Sequence, residues 1–338
     1  MSELETRIQS FGDSKVTRRE FLAGGAAIAA GVAQTQERVS LVSITLDCEM
    51  SAHYPTWEQT EWNYKKGDLD QHSKEYSVGA ARRVAAASGK MHFFVVGRVF
   101  EQPDISWLEQ ILKMGHGVGN HTYDHVNVKA TELSQVQYRF QRAPWLAYGK
   151  TPAQLIDENI RMCTMAMKER LGIKPNGFRT PGGFPNGLKD RPDIQNMLLS
   201  QGYNWVSSQY SRHPVKPDTG GPQAGELEAI TAQQEASQPF VYPSGLIELP
   251  MNPPSDVGTM RTGRWKLADF RKGVKSSLDW CIERGRVWDL LSHPSAIGVA
   301  DPNFEIIDFI IDTVKRAGSK ARLVSLDTVA QAHGATPG

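Results

Sequence analysis

Short apolar runs alternate with longer segments of helical period along most of this chain, the pattern of strands lining a parallel sheet with helices covering it. The stretch "VSLVSITLDCEM", rich in Val and Ile and ending in acids, predicts the first strand. "EYSVGAARRVAAASG" predicts a helix stopped by Gly89, and "KMHFFVVG" the second strand. "DISWLEQILKMGHG" predicts a helix capped by Asp104 and ended by Gly115, followed by a short strand running into "GVGNHTYDH". "TPAQLIDENIRMCTMAMKERLG" carries the clearest helix signals, with Thr151 as cap, Pro152 in the first turn and Gly172 past the end. "NGFRTPGG", "YNWVSS", "GLIELPM", "RVWDLLSHP" and "ARLVSL" predict further strands. "PDIQNMLLSQG", "KLADFRKGVKSSLDWCIERG" and "FEIIDFIIDTVKRAG" predict the helices between them. The fold class is therefore α/β, a barrel-like arrangement of parallel strands and peripheral helices.

Two segments follow no regular period: Ser51 to Ser73, with Tyr54, Trp57 and Trp62, and His213 to Gln238, with its Pro, Gly and Gln content. They read as loop insertions near 51–76 and 212–240, of the kind that form lids and binding loops. The amino-terminal stretch "TRREFLAGGAAIAAGVAQ" places Arg18-Arg19 before a weakly apolar run that ends near Ala33. It resembles a twin-arginine export signal, an address read by the export machinery, and the run is too short to span a bilayer, which takes roughly 20 apolar residues. Residues 1–33 are read as this signal and 34–338 as one catalytic domain, exported to the periplasm or beyond.

Composition narrows the chemistry. With 338 residues, 40% apolar, 22% charged and a net charge of +1, nothing draws the chain electrostatically to nucleic acid. Three scattered cysteines exclude a cysteine-built metal knuckle, so any metal site must use His and carboxylate.

In a barrel of this kind, catalytic groups come from the carboxyl ends of several strands. The strand ends here carry Asp47 and Glu49, His121 and His125, Arg179, Trp205 and His293, all able to converge on one mouth. Two histidines at i and i+4 can point the same way from a helical turn, and a carboxylate completes an open, water-bearing site of zinc type. Asp47 and Glu49 share a strand face, so either acid can bind while the other serves as general base.

The order and content of these motifs resemble the polysaccharide deacetylase family, carbohydrate esterase family four with its NodB-homology domain, over roughly Ser40 to Val329. That resemblance implies a distorted (β/α) barrel hydrolysing N- or O-acetyl groups of carbohydrates with one divalent metal, zinc first, with cobalt, nickel or iron(II) as alternatives. "TLDCE" resembles the first motif in its variant Asp-x-Glu form, which makes Asp47 the general base and Glu49 the metal ligand. "HTYDH" resembles the second, making His121 and His125 the other ligands and Thr122 a brace of the turn. "RTPGG" resembles the third, with Arg179 holding Asp47 ionised and the Gly182 N–H as oxyanion donor. "LLSHP" resembles the last, with Leu291 lining the acyl pocket and His293 protonating the leaving group. The fourth motif departs from the family: Trp205 is kept, but Val206 stands where an acid is common, leaving Asp256 and Asp289 as candidate partners of His293.

Other residues near the motifs read as structural: Cys48 as a buried strand residue, Asp124 as a turn residue, and His53 and His116 as ordinary histidines. Trp57, Trp62 and Tyr64 read as loop anchors, with sugar stacking as the alternative. The family's variants also imply a rival substrate, a small cyclic amide or formamide, which a closed pocket capped by the two insertions would favour. A rival of another class is a silent glycan-binding barrel. The substrate, N- versus O-deacetylation and the oligomeric state stay open.

Overall fold

The computed structural model describes residues 38–59 and 62–335, so the export segment predicted over 1–33 lies outside the described residues. The strands are β1 (Ser40–Cys48), β2 (His92–Val95), β3 (Gly117–Asn120), β4 (Gly177–Phe184), β5 (Trp205–Gln209), β6 (Phe240–Val241), β7 (Ile247–Glu248), β8 (Trp288–Ser292) and β9 (Ala321–Leu323). They form one sheet in the order β6-β7-β5-β4-β3-β2-β1-β8, and β9 pairs with the first residues of β1. Every pairing is parallel except β6 with β7.

The sheet curls until the segment after β7 lies between its two ends. Met251 bridges Tyr210 just past β5, and Asn252 bridges Leu290 of β8, both in parallel sense. Asn252 N donates to Asp289 O at 3.1 Å, and Asp289 N donates to Asn252 Oδ1 at 2.8 Å. This is the distorted barrel that the alternation of elements predicts.

Strand alternation sorts the side chains of β1. Val42, Ile44, Leu46 and Cys48 are fully buried in the main apolar cluster with residues of the covering helices. Full burial of each aliphatic side chain contributes about 1.5–3 kcal/mol. A separate cluster holds Phe94, Trp205, Ile247, Leu249 and Leu326.

The helix Pro152–Leu171 has the predicted ends. Thr151 Oγ1 accepts from Gln154 N at 3.2 Å, Gln154 Oε1 accepts from Thr151 N at 2.8 Å, and Gly172 sits at φ 70°. A capping side chain of this kind contributes about 1 kcal/mol. Asp104, predicted as a cap, sits one residue before the cap position, which Ile105 takes, and accepts from Ser106 N at 2.8 Å.

The insertions are less irregular than their sequence. The first ends at Asp70, which caps the helix Gln71–Ala86 by accepting from Ser73 N at 2.8 Å, so that helix starts inside the span read as loop. The second contains the helix Glu226–Ala232. A helix of seven residues has no room for several turns of apolar stripe, which hides the second one from periodicity. The closing strand is shorter than "ARLVSL", because Ser325 begins the approach to the helix Leu326–Ala332.

Candidate active site

Beneath the mouth of the barrel lies a buried ionic layer centred on Arg179 of β4. Its Nη1 donates to Thr45 Oγ1 at 2.6 Å and Asp47 Oδ1 at 3.1 Å, while Nη2 donates to Asp289 Oδ2 at 2.6 Å and Ser207 Oγ at 3.1 Å. The guanidinium carbon stands 4.3 Å from the centre of the Phe94 ring. One cation thus serves two buried carboxylates. Burial pushes the Asp289 carboxyl up to about 6, against the pull of Arg179.

Glu49 follows directly on β1, and its Oε2 lies 2.7 Å from His125 Nε2 and 3.6 Å from His121 Nε2. Asp47 Oδ2 stands 3.7 Å from His121 Nε2. The ligand-type atoms of Glu49, His121 and His125 fall within 4.8 Å of one another. His121 Nδ1 lies 2.9 Å from the Arg179 carbonyl, which can only accept, so Nδ1 carries the proton and the Nε2 lone pair faces the acids. Burial pushes His125 down to about 4 and lowers His121 also, so both rings are neutral, the form that binds a metal ion. Burial alone would raise Glu49, but His125 and then Lys66 outweigh it and hold the carboxyl well below the usual range. Two neutral imidazoles and one ionised carboxylate are the donor set of an open zinc-type site. Lys66 Nζ donates to the other oxygen of Glu49 and is itself buried.

The histidines are not carried by a helical turn, contrary to the expectation from their spacing. Residues 121–125 form an irregular loop with Thr122 at φ 58° and His125 at φ 59°. Thr122 Oγ1 accepts from Val126 N at 3.0 Å, and Asn120 Oδ1 accepts from Thr122 N at 2.7 Å, which braces the loop in that conformation.

His293 caps the carboxyl end of β8, with Nε2 at 3.7 Å from Glu49 Oε1. Its Nδ1 lies 3.0 Å from Asp256 Oδ1, and its backbone N donates to Asp256 Oδ2 at 2.6 Å. Burial disfavours the imidazolium, but the buried Asp256 carboxylate prevails, with Glu49 and Asp47 assisting, and the pKa is raised. Asp256, not Asp289, is therefore the partner of His293.

These groups open into a cavity of about 300 Å³, also lined by Gly182, Leu291, Tyr210 and Arg261. Gly182 has φ 80°, and a side chain there would meet nothing within 4 Å, so the backbone faces open space. Lys66, Tyr210 and Arg261 escaped the sequence reading. Lys66 lies in the first segment without period, Arg261 between the predicted strand "GLIELPM" and the helix "KLADFRKGVKSSLDWCIERG", and Tyr210 follows the end of β5, where strand-end logic would have found it had β5 been traced two residues further.

Trp205 does not reach the mouth. It opens β5 rather than closing it, is fully buried, and donates Nε1–H to Asp327 Oδ1 at 3.2 Å. Four residues of strand, at about 3.3 Å each, separate it from the end that carries chemistry. A side chain on Gly177 would come within 1.9 Å of the indole, so that glycine makes room for it.

Asp124 is not part of the metal-type cluster and pairs with Arg139, while its backbone N donates to Asn159 Oδ1 at 2.7 Å. Cys48 is buried in the apolar cluster. His116 is held between Ala81 O and Met91 N, and His53 stacks on Trp57. Arg264 lies over the Trp57 ring at 3.7 Å, and Tyr64 packs with Arg142 and Tyr138. Neither Trp57 nor Tyr64 lines the cavity; the Trp62 side chain lies outside the described residues.

Residues 70–195 match the family model of the polysaccharide deacetylases. The matched span holds both histidines, Arg179 and Gly182; Asp47, Glu49 and His293 fall outside it. A Mycobacterium smegmatis structure assigned provisionally as a polysaccharide deacetylase superposes with a TM-score of 0.56 at 17% identity, over 90% of this chain and 95% of its own. A Pseudomonas aeruginosa structure of the same provisional assignment gives 0.59 at 12% identity, over 87% and 91%. At such identities the likeness speaks for the fold. No curated protein sequence matches the chain. The family model thus covers part of the chain, and the solved structures share its fold.

Proposed function

We propose that this protein is a metal-dependent hydrolase that removes acetyl groups from an N- or O-acetylated carbohydrate. The observation that carries the reading is the placement of an Arg179-held Asp47 and an Asp256-held His293 each 3.7 Å from a member of the Glu49, His121, His125 cluster. A divalent ion held by those three residues, zinc by the character of the donors, supplies polarisation of the acyl carbonyl and a water of lowered pKa.

The chain's own groups do the rest. Asp47, kept oriented by Arg179, takes the proton of the attacking water. His293, kept protonated by Asp256, gives a proton to the departing amine or alkoxide. The Gly182 N–H serves as a donor to the developing oxyanion, and Leu291 packs against the acyl methyl. Glu49 does not share the role of base, since Lys66 occupies its second oxygen.

A second reading, hydrolysis of a small cyclic amide or formamide, is favoured by one observation: Arg264, outside both insertions, ties them together. It stacks on Trp57 of the first at 3.7 Å and pairs with Asp218 of the second at 2.6 Å. Incubation of zinc-loaded protein with chitin oligomers, peptidoglycan fragments, acetylated xylan and a panel of cyclic amides separates the two. Acetate release from a glycan, lost in Asp47→Asn, supports the first; ring opening alone supports the second. Activity towards none, with glycan retained by the protein, would leave the silent binding barrel. The Arg18-Arg19 segment supports export, and Lys at both positions should hold the precursor in the cytoplasm.

A further inference from the structure

Arg261 lines the same cavity as Asp47, Glu49 and His293, on the turn Val257–Thr262 that directly follows Asp256. Its one hydrogen bond among the described residues is the 3.3 Å contact to Ser51 Oγ, and no described carboxylate is ion-paired with it. The cations around it are committed. Lys66 is bound to Glu49, and Arg264 pairs with Asp218 at 2.6 Å. A partly buried guanidinium with most of its planar fork unused is a receptor for a carboxylate-shaped anion.

We infer that the substrate carries a carboxylate as well as its scissile acyl group, and that Arg261 receives it. This rests on the reading of the cavity as the substrate site. It selects acidic sugars or acylated small acids over neutral acetylated glycans, and it makes Arg261 a specificity-determining residue.

The test is titration calorimetry on zinc-loaded protein with two matched pairs: N-acetylglycine against N-acetylglycinamide, and N-acetylglucosaminuronic acid against N-acetylglucosamine. The acid of at least one pair should bind about tenfold or more tighter than its neutral partner, the scale of a charge-assisted contact. A preference confined to the first pair assigns a small acid, and one confined to the second a sugar acid. Arg261→Gln should erase the preference while binding the same amount of zinc, and Arg261→Lys should restore part of it. Equal binding of acid and neutral partner in both pairs, or a preference that survives Arg261→Gln, would overturn the inference and leave the cavity reading standing. Failure of all four compounds to bind would overturn both.

Discussion

His293 Nδ1 lies 3.0 Å from Asp256 Oδ1, and the other oxygen of the same carboxylate accepts the His293 backbone N–H at 2.6 Å. One acid from the segment after β7 thus orients an imidazole at a strand end and favours its protonated form. Because the carboxylate raises the His293 pKa, the protonated, acid-competent form persists to higher pH than an isolated histidine would allow. Asp256→Asn should lower that pKa, move the alkaline limb of the kcat profile to lower pH and cut kcat at pH 8 by about tenfold or more. An alkaline limb that stays in place would remove His293 from the acid role.

Zinc content should be about one equivalent in purified protein and close to zero after His121→Ala with His125→Ala, by elemental analysis. Asp47→Asn should keep the metal and lose turnover, because Asp47 stands beside the cluster without belonging to it. Loss of metal in Asp47→Asn would exchange the roles of the two acids.

Arg179→Ala should destabilise the fold by about 3–5 kcal/mol in denaturant titration, since it strands two buried carboxylates at once. Adding Asp289→Asn should recover part of the loss by removing one of them. A cost under about 1 kcal/mol would mean that water reaches this layer.

Asp124→Asn should leave zinc binding intact and lower stability by about 1–3 kcal/mol, as the contact with Arg139 weakens and the buried turn loses its charge-assisted hydrogen bond. Reduced metal content without a stability change would return Asp124 to the ligand set.

Trp205→Phe should lower the melting temperature and leave KM near the wild-type value, the mark of a residue that packs the barrel without touching substrate. A several-fold rise in KM at unchanged stability would count against its placement at the base.

What could be read from the chain alone was whatever acts over a few residues. The Thr151, Pro152 and Gly172 signals end the longest helix because capping and left-handed turns are local steric matters. The acids after the first strand, the HTYDH spacing, Arg179 and His293 were visible as chemistry at strand ends. Periodicity failed where an element was a turn or two long, as in 226–232, and where strand ends were misjudged, as with Trp205.

The tertiary structure alone decided the pairings. That His293 leans on Asp256 while Asp289 goes to Arg179, that Lys66 takes one oxygen of Glu49, and that Arg261 faces the cavity all depend on how far the sheet curls and where the first insertion and the segment after β7 lie against its mouth. Sequence encodes such contacts only through the summed packing of the whole barrel, so residue types at strand ends can nominate a site while the geometry of closure chooses its partners.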